Sequence, residues 1–104
     1  GAATARQLAR LGANLVLNAR SEQLLAALAR EINEQGGRAL AVAGDVSQPA
    51  VCEALVATAI ETFGGVDAVI NNAAVLEPVA SIAETDIQAW RRHIDINLIG
   101  PYLL

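Results

Sequence analysis

The feature that most constrains the fold of this chain is an alternation of helical patterns with short apolar runs along the first 70 residues. Three amphipathic stretches that predict helices are each followed, after a glycine-containing connection, by a run that predicts a strand. Parallel strands cannot be joined by tight hairpins, and the crossover connections that they need are usually helical. The alternation therefore predicts an α/β fold with a three-layer, doubly wound parallel sheet and right-handed crossovers.

Capping residues and glycines set the expected limits of these elements. We predict a first helix over Ala2–Leu11. Ser21 and Ser47 are expected to cap the second and third helices. A Thr-x-x-Gln capping box, formed by Thr85 and Gln88, predicts the start of a fourth helix. The predicted strands are Leu15–Leu17, Ala39–Ala43 and Val66–Ile70.

Two asparagines and two alanines follow directly after the third predicted strand. In open α/β sheets the ligand lies beyond the carboxyl ends of the strands, near the point where the strand order reverses. The side chains of Asn71 and Asn72 can fix neighbouring backbone groups there, and the small Ala73 and Ala74 let a ligand approach the main chain. Taken alone, the run favours an ordinary strand-to-helix turn, and the rest of the chain is what points to a ligand site.

The composition limits the classes of function. The chain has 104 residues, of which 54% are hydrophobic and 17% charged, as is typical of a globular domain with one core. The net charge of −4 disfavours nucleic acid and anionic membrane surfaces as partners. All basic residues are arginines, so a mechanism that needs a catalytic lysine within this segment is excluded.

Three further side chains are assigned structural or solvent-facing roles. Cys52 is the only cysteine and lies on the apolar face of the third helix, so we expect it in the core and the protein in the cytoplasm. His93 has no second histidine or cysteine at ligand spacing, so we expect no metal site and predict a structural or solvent-facing histidine. Arg92, beside Arg91, is predicted to lie on a solvated helix face.

Pro101 gives the last predicted helix an unusual feature. If the helix continues past Asn97, the Asn97 carbonyl should accept a hydrogen bond from the N–H of residue 101, but proline has none. Pro101 is therefore expected to kink the helix and to leave that carbonyl free for water or another donor. A proline that merely bends the helix around the core is the alternative.

Four motifs in a fixed order give the chain a resemblance to the short-chain dehydrogenase/reductase family over essentially its full length. Gly1 resembles the last glycine of the family's T-G-x-x-x-G-x-G loop, and Asp45-Val46 resembles the pair that contacts adenine. Asn71-Asn72-Ala73-Ala74 resembles the N-N-A-G motif, with alanine in place of the glycine. Asn97, followed by Gly100, resembles the asparagine of the catalytic tetrad.

The resemblance implies that residues 1–104 form a partial NAD(P)-binding domain of the Rossmann type. We expect the family's first strand to precede Gly1, and its serine and Tyr-x-x-x-Lys pair to follow Leu104. The strand at Val66–Ile70 would then lack both neighbours, and the segment alone would be inactive. The implied catalytic residue is Asn97, and the implied cofactor-binding residues are Gly1, Ala19, Arg20, Ser21, Asp45, Val46, Asn72, Ala73 and Ala74.

The residues that follow the first predicted strand favour NADP(H), although NAD(H) remains possible. In dinucleotide folds a carboxylate at the end of the second strand binds the ribose hydroxyls and would repel a phosphate. The first strand predicted here corresponds to that second strand, because the family's first strand is expected to precede Gly1. The matching residue here is Ala19, followed by Arg20 and by Ser21 at a helix start. An arginine beside free N–H groups at a helix N-terminus is suited to bind phosphate. An exposed surface arginine is the alternative for Arg20.

Three functional hypotheses follow. The resemblance implies an oxidoreductase that transfers hydride between nicotinamide and a carbonyl or alcohol substrate, for example a 3-oxoacyl or other ketone reductase, and that forms a homo-oligomer at full length. The main-chain carbonyl of Asn97 would hold a relay water in that reaction. The second hypothesis is a non-catalytic regulator or scaffold that binds the nucleotide. The third is a dinucleotide-fold protein outside the family, such as a methyltransferase, against which the two asparagine motifs argue.

Overall fold

Two parallel strands form the sheet. The computed structural model describes residues 1–104, with β1 at Asn14–Ala19 and β2 at Arg38–Ala43. Leu15 is paired with Ala39, and the remaining pairs follow in parallel register. Both strands contain the predicted apolar runs and extend slightly beyond them, because the flanking residues also take part in the ladder.

Helices connect and follow the strands. The α-helices are α1 (Ala2–Arg10), α2 (Glu22–Glu34), α3 (Pro49–Phe63), α4 (Ile87–Ile94) and α5 (Gly100–Leu103). A π-helical segment, Asp95–Ile99, joins α4 to α5. The order α1–β1–α2–β2–α3 confirms the alternation that the sequence predicts, and with it the α/β class. None of the helices has the length and apolar composition needed to span a membrane.

The first two helices pack against each other and the sheet around small apolar side chains. This cluster consists of Ala5, Ala29, Ile32 and Ala39. Three of the four are alanines, which allow the helix and strand backbones to approach closely. Arg6 also links α1 to α2, because its Nε and Nη2 atoms donate to the carboxylate of Glu31 at 2.7 and 2.8 Å.

The third helix packs against both strands and against α5. Its buried face includes Cys52, Leu55 and Ala59, so Cys52 lies in the core as predicted. The Cys52 thiol donates to the Val46 carbonyl oxygen at 3.3 Å. Burial raises the pKa of Cys52, which keeps the thiol protonated.

The predicted third strand is not present. Residues 66–70 form no ladder, since the sheet contains only β1 and β2. Val66, Val69 and Ile70 are 46, 45 and 58% exposed, whereas a strand inside a parallel sheet would bury them on both faces. A strand exists only through hydrogen bonds to a neighbour, and no other strand lies beside this run. The run therefore has β-forming residues but no hydrogen-bonded partner strand.

One of the two predicted serine caps is present in the structure, and the other is not. Ser21 caps α2 as predicted, with its hydroxyl oxygen accepting from the N–H of Leu24 at 3.5 Å. The predicted cap at Ser47 is wrong. Its hydroxyl donates instead to Asp45 Oδ1 at 2.8 Å, and α3 begins at Pro49 without a side-chain cap.

The predicted Thr85–Gln88 capping box is also wrong. The Thr85 hydroxyl donates to the Ser81 carbonyl at 2.9 Å, in the turn that precedes the helix. Asp86 caps α4 in its place, because its Oδ2 accepts from the N–H of Ala89 at 2.7 Å. A carboxylate is a stronger acceptor than a hydroxyl for these N–H groups, which explains the one-residue difference.

Candidate functional site

The carboxyl ends of the two strands bring several predicted site residues to one edge of the sheet. Ala19 is the last residue of β1, and β2 ends two residues before Asp45. The N–H of Gly44 donates to the Ala19 carbonyl at 3.0 Å, which joins the two strand ends directly. Asn18 strengthens this junction, since its Nδ2 donates to the carbonyl oxygens of Val42 and Gly44. The edge is therefore held in a defined shape.

Arg20 and Ser21 connect this edge to the N-terminus of α2. Arg20 is exposed and takes part in none of the three ion pairs of the chain. Ser21 satisfies one N–H of the first helical turn and leaves the others available. A free guanidinium beside N–H donors and the positive end of a helix is a donor set that fits a phosphate group. Ala19 is uncharged and therefore would not repel a phosphate bound there.

Asp45 is held by three donors. Its Oδ1 accepts from the N–H and the hydroxyl of Ser47 at 3.0 and 2.8 Å, and its Oδ2 from Arg92 Nη2 at 3.1 Å. The hydrogen bond from the Ser47 N–H, then that from its hydroxyl, lowers the pKa of Asp45, and Arg92 adds to this effect. Arg92 is exposed, as predicted, but it also forms an ion pair that sequence reasoning missed, and this pair ties α4 to the residues that follow β2.

Val46 is buried and lies against Gly100, the first residue of α5. A methyl group added at Gly100 would lie 3.1 Å from Val46 Cγ2 and 3.2 Å from the Val46 carbonyl oxygen. Both contacts are tighter than a side chain normally allows, so Gly100 is needed for this close approach. The close approach to Val46 thus explains why a glycine, rather than a larger residue, follows Asn97 in the motif.

Gly1 and Asn72 meet at the start of α1. A methyl group added at Gly1 would lie 3.0 Å from Asn72 Nδ2. The helix N-terminus and the asparagine run are therefore adjacent, although 71 positions separate these two residues in the sequence. Asn72, Ala73 and Ala74 are exposed, and their main chain is open to a ligand. No residue other than glycine has a positive φ, so the alanine at position 74 is accommodated without backbone strain.

Asn97 lies in the π-helical segment immediately before Pro101, where the sequence predicts a distorted helix. The N–H of Gly100 donates to the Asp95 carbonyl in the five-residue spacing of a π-helix. The Asn97 side chain binds Val75: its Oδ1 accepts from Val75 N at 2.9 Å, and its Nδ2 donates to Val75 O at 2.7 Å. Sequence reasoning used only the main-chain carbonyl of Asn97 and missed this side-chain contact.

His93 lies one helical turn before Asn97. Its Nδ1 is 3.1 Å from the Glu77 carbonyl oxygen, and its Nε2 is 3.1 Å from Asn97 Nδ2. His93 therefore has a structural role, which is one of the two roles predicted from the sequence. Its i, i+4 spacing to Asn97 is the sequence signal that could have identified the contact. No group of three or more possible metal-binding side chains is present in the chain.

Comparison with known proteins identifies relatives along the whole chain. A family model described as short chain dehydrogenase matches residues 1–104. The cis-4-hydroxycyclohexanecarboxylate dehydrogenase of Sinomonas cyclohexanicum is 42% identical over 103 residues, which cover 99% of this chain and 41% of that protein. The chain thus spans about two fifths of the length of this curated relative.

Two solved structures have the same fold. A metagenomic short-chain oxidoreductase in complex with NADP superimposes with a TM-score of 0.91 at 38% identity, over 100% of this chain and 47% of that one. L-sorbose reductase from Gluconobacter frateurii, in complex with NADPH and L-sorbose, gives a TM-score of 0.91 at 33% identity, over 98% of this chain and 39% of that one. These similarities confirm the predicted doubly wound, Rossmann-like fold, of which the chain contains a part.

Proposed function

The chain belongs to the short chain dehydrogenase family, and on this basis we propose that it is the cofactor-binding part of an NAD(P)(H)-dependent oxidoreductase. The observation that carries the proposal is the convergence of Ala19, Arg20 and Asp45 at the carboxyl edge of the sheet. In open α/β sheets this edge is where dinucleotides bind. When bound, the nicotinamide supplies or accepts the hydride, and the reaction interconverts a carbonyl and an alcohol.

We assign the cofactor preference to NADP(H), with NAD(H) as the alternative. Arg20 would bind the 2′-phosphate, assisted by the N–H groups next to Ser21, and Ala19 would leave room for it. The two structural relatives described above are complexes with NADP and NADPH, which supports this preference. An aspartate at position 19 would repel the 2′-phosphate of NADP(H) and would bind the free ribose hydroxyls of NAD(H).

The remaining site residues would bind other parts of the dinucleotide. Asp45 and Val46 would contact the adenine, with Asp45 held in position by Ser47 and Arg92. Gly1 lies beside the asparagine run, so both would approach the pyrophosphate and the nicotinamide ribose. The residues of that run assigned to the cofactor are Asn72, Ala73 and Ala74.

Asn97 is the catalytic residue of this proposal. Its side-chain oxygen and both side-chain N–H groups already have partners in Val75 and His93, so the main-chain carbonyl is the group that would hold a relay water. The proposed substrate is a small-molecule carbonyl or alcohol. A homo-oligomeric state and a cytoplasmic location, in which the Cys52 thiol stays reduced, complete the proposal.

Ligand binding to the protein that carries this chain at full length tests the proposal. NADPH, NADH and S-adenosylmethionine should be titrated separately by calorimetry, followed by assays with ketone substrates. We expect NADPH to bind most tightly and to be oxidised when a ketone is added. Binding without turnover of any carbonyl would favour the non-catalytic alternative, and a preference for S-adenosylmethionine would refute the proposal.

A further inference from the structure

The orientation of the Asn97 side-chain amide follows from its contacts with one residue. The N–H of Val75 can only donate, so the amide atom 2.9 Å from it must be the oxygen. The Val75 carbonyl can only accept, so the amide atom 2.7 Å from it must be the nitrogen. A flipped amide would bring two donors together at one end and two acceptors together at the other. The assignment of Oδ1 and Nδ2 is therefore determined by the main chain.

This orientation determines the state of the His93 ring. The Asn97 amide nitrogen has two hydrogens, of which one is bound to Val75 O. The other points to His93 Nε2 at 3.1 Å, so Nε2 must carry a lone pair. A neutral imidazole then carries its proton on Nδ1, and Nδ1 lies 3.1 Å from a carbonyl oxygen, that of Glu77, which can accept it. Every donor in this network has an acceptor.

The network joins the helix to the segment that follows the asparagine run. Asn97 binds residue 75 and His93 binds residue 77, so the two side chains hold alternate residues of one stretch. His93 also accepts from the second N–H of the Asn97 amide, which otherwise would have no protein partner. Asn97 is therefore held by His93 as well as by Val75.

We propose that His93 is a positioning residue for Asn97, and that it acts as the neutral imidazole with its proton on Nδ1. The inference rests on the proposed function, because it concerns the residue assigned to the relay water. A second proton on Nε2 would turn the acceptor for Asn97 into a donor and break that hydrogen bond. The Glu77 contact would survive, since Nδ1 keeps its proton.

The charged side chains of the chain do not alter the tautomer of His93 that its hydrogen bonds indicate. The ion pairs of the chain are Arg6–Glu31, Arg30–Glu34 and Arg92–Asp45, and none of them includes His93. Arg92, the adjacent residue on α4, is directed to Asp45. Glu77 contacts the ring through its main-chain carbonyl. The two polar partners of the imidazole are therefore both uncharged.

Nuclear magnetic resonance of the full-length protein with ¹⁵N-labelled histidine and asparagine tests the hydrogen bonds without any activity. The His93 signals are identified by their loss in His93→Gln. We expect a protonated Nδ1 and an unprotonated Nε2 at neutral pH, and a shift of the Asn97 amide signals as the ring takes a second proton at lower pH. A protonated Nε2 at neutral pH would overturn the inference, even if the protein is an active oxidoreductase.

Asn33 provides an internal control in the same spectra. Its side chain binds the main chain of Ala39 by the same two hydrogen bonds, at 2.8 and 2.9 Å, but contacts no imidazole. Its amide signals should therefore stay fixed over the pH range in which those of Asn97 move. Equal movement of both amides would contradict the inference.

Catalysis provides the second readout. His93→Phe keeps a flat ring but removes both hydrogen bonds, and should lower kcat by about tenfold with little change in KM for NADPH. His93→Gln can accept from Asn97 and donate to Glu77 with no titratable group. It should recover most of the lost rate, because both hydrogen bonds are restored. An unchanged kcat in His93→Phe, or an equal loss in both variants, would overturn the positioning role.

Discussion

The side chain of Asn97 binds both main-chain polar groups of Val75, with Oδ1 2.9 Å from the nitrogen and Nδ2 2.7 Å from the oxygen. A neighbouring strand would satisfy an extended residue in a similar way, through one N–H and one carbonyl. The asparagine therefore does for this residue what a strand partner would otherwise do. It also fixes the distance between the π-helical segment and the end of the asparagine run.

Replacement of Asn97 should separate catalysis from cofactor binding. Asn97→Ala removes the two hydrogen bonds to Val75, of about 1 kcal/mol each, together with the contact to His93, and should lower kcat by at least about thirtyfold in the full-length enzyme. NADPH affinity, measured by fluorescence titration, should change little. Asn33→Ala is the matched control, because it removes the same kind of contact far from the site. A comparable loss of kcat in that variant would show that the effect is one of general stability.

Cofactor preference should depend on the side chains at positions 19 and 20. Arg20→Ala should weaken NADPH binding by about 1.5–3 kcal/mol, as expected for loss of a charge-assisted contact, and leave NADH binding nearly unchanged. Ala19→Asp should shift the preference toward NADH. Arg30 is an exposed arginine of α2, the helix that Arg20 precedes, and is paired with Glu34, so Arg30→Ala is the control. Equal affinities for the two cofactors in the wild type, unaltered by Arg20→Ala, would refute the assignment.

Pro101 should be needed for the shape of the π-helical segment. Pro101→Ala restores an N–H that can donate to the Asn97 carbonyl and compete with the relay water. We expect a slower reaction and an altered pH profile, with NADPH affinity retained. Steady-state kinetics between pH 5 and 9 would measure both effects. A variant with wild-type rate and profile would show that the free carbonyl has no part in catalysis.

The hydrogen bonds that Asp45 accepts from Ser47 and Arg92 should make the stability of the protein decrease at acidic pH. The hydrogen bonds to Asp45 lower its pKa in the folded state. Its stabilising contribution is therefore complete above the pKa of the unfolded chain and is lost as the pH falls through the folded value. Arg92→Ala should cost at most about 1 kcal/mol at neutral pH, because the arginine is 52% exposed.

Urea denaturation at several pH values measures this contribution. Asp45→Asn should reduce the free energy of unfolding at neutral pH and weaken its decline toward acid. The adjacent Arg91 is exposed and forms no ion pair, so Arg91→Ala is the control and should leave the curve unchanged. A decline that is as steep in Asp45→Asn as in the wild type would assign acid sensitivity to other carboxylates.

Residues 1–104 expressed alone should not form a cooperatively folded domain. Their sheet has only two strands, and the apolar run Val66–Ile70 is exposed and unpaired. Exposed apolar side chains of this kind lose about 1.5–3 kcal/mol each of the stabilisation that full burial would give, against a typical total stability of about 5–15 kcal/mol. We expect helical circular dichroism, no sharp thermal transition and no NADPH binding. A monomer that melts cooperatively would contradict this expectation.

The sequence by itself determined the class and order of the elements. The alternation of helical and strand patterns predicted α1–β1–α2–β2–α3, and Ser21 marked the start of α2. It also identified the distorted helix before Pro101. These signals are local: a cap or an apolar stripe acts over one or two helical turns, so the residues that decide the structure are neighbours in the chain.

The tertiary structure decided the partners of each side chain. Arg92 reaches Asp45 across 47 positions, and Asn97 reaches Val75 across 22. Neither pairing follows from a local pattern, because each depends on how two separate elements pack. The same reason explains the missing strand at Val66–Ile70: its β-forming residues were recognisable, but a strand requires a hydrogen-bonded neighbour, and only the assembled sheet supplies one.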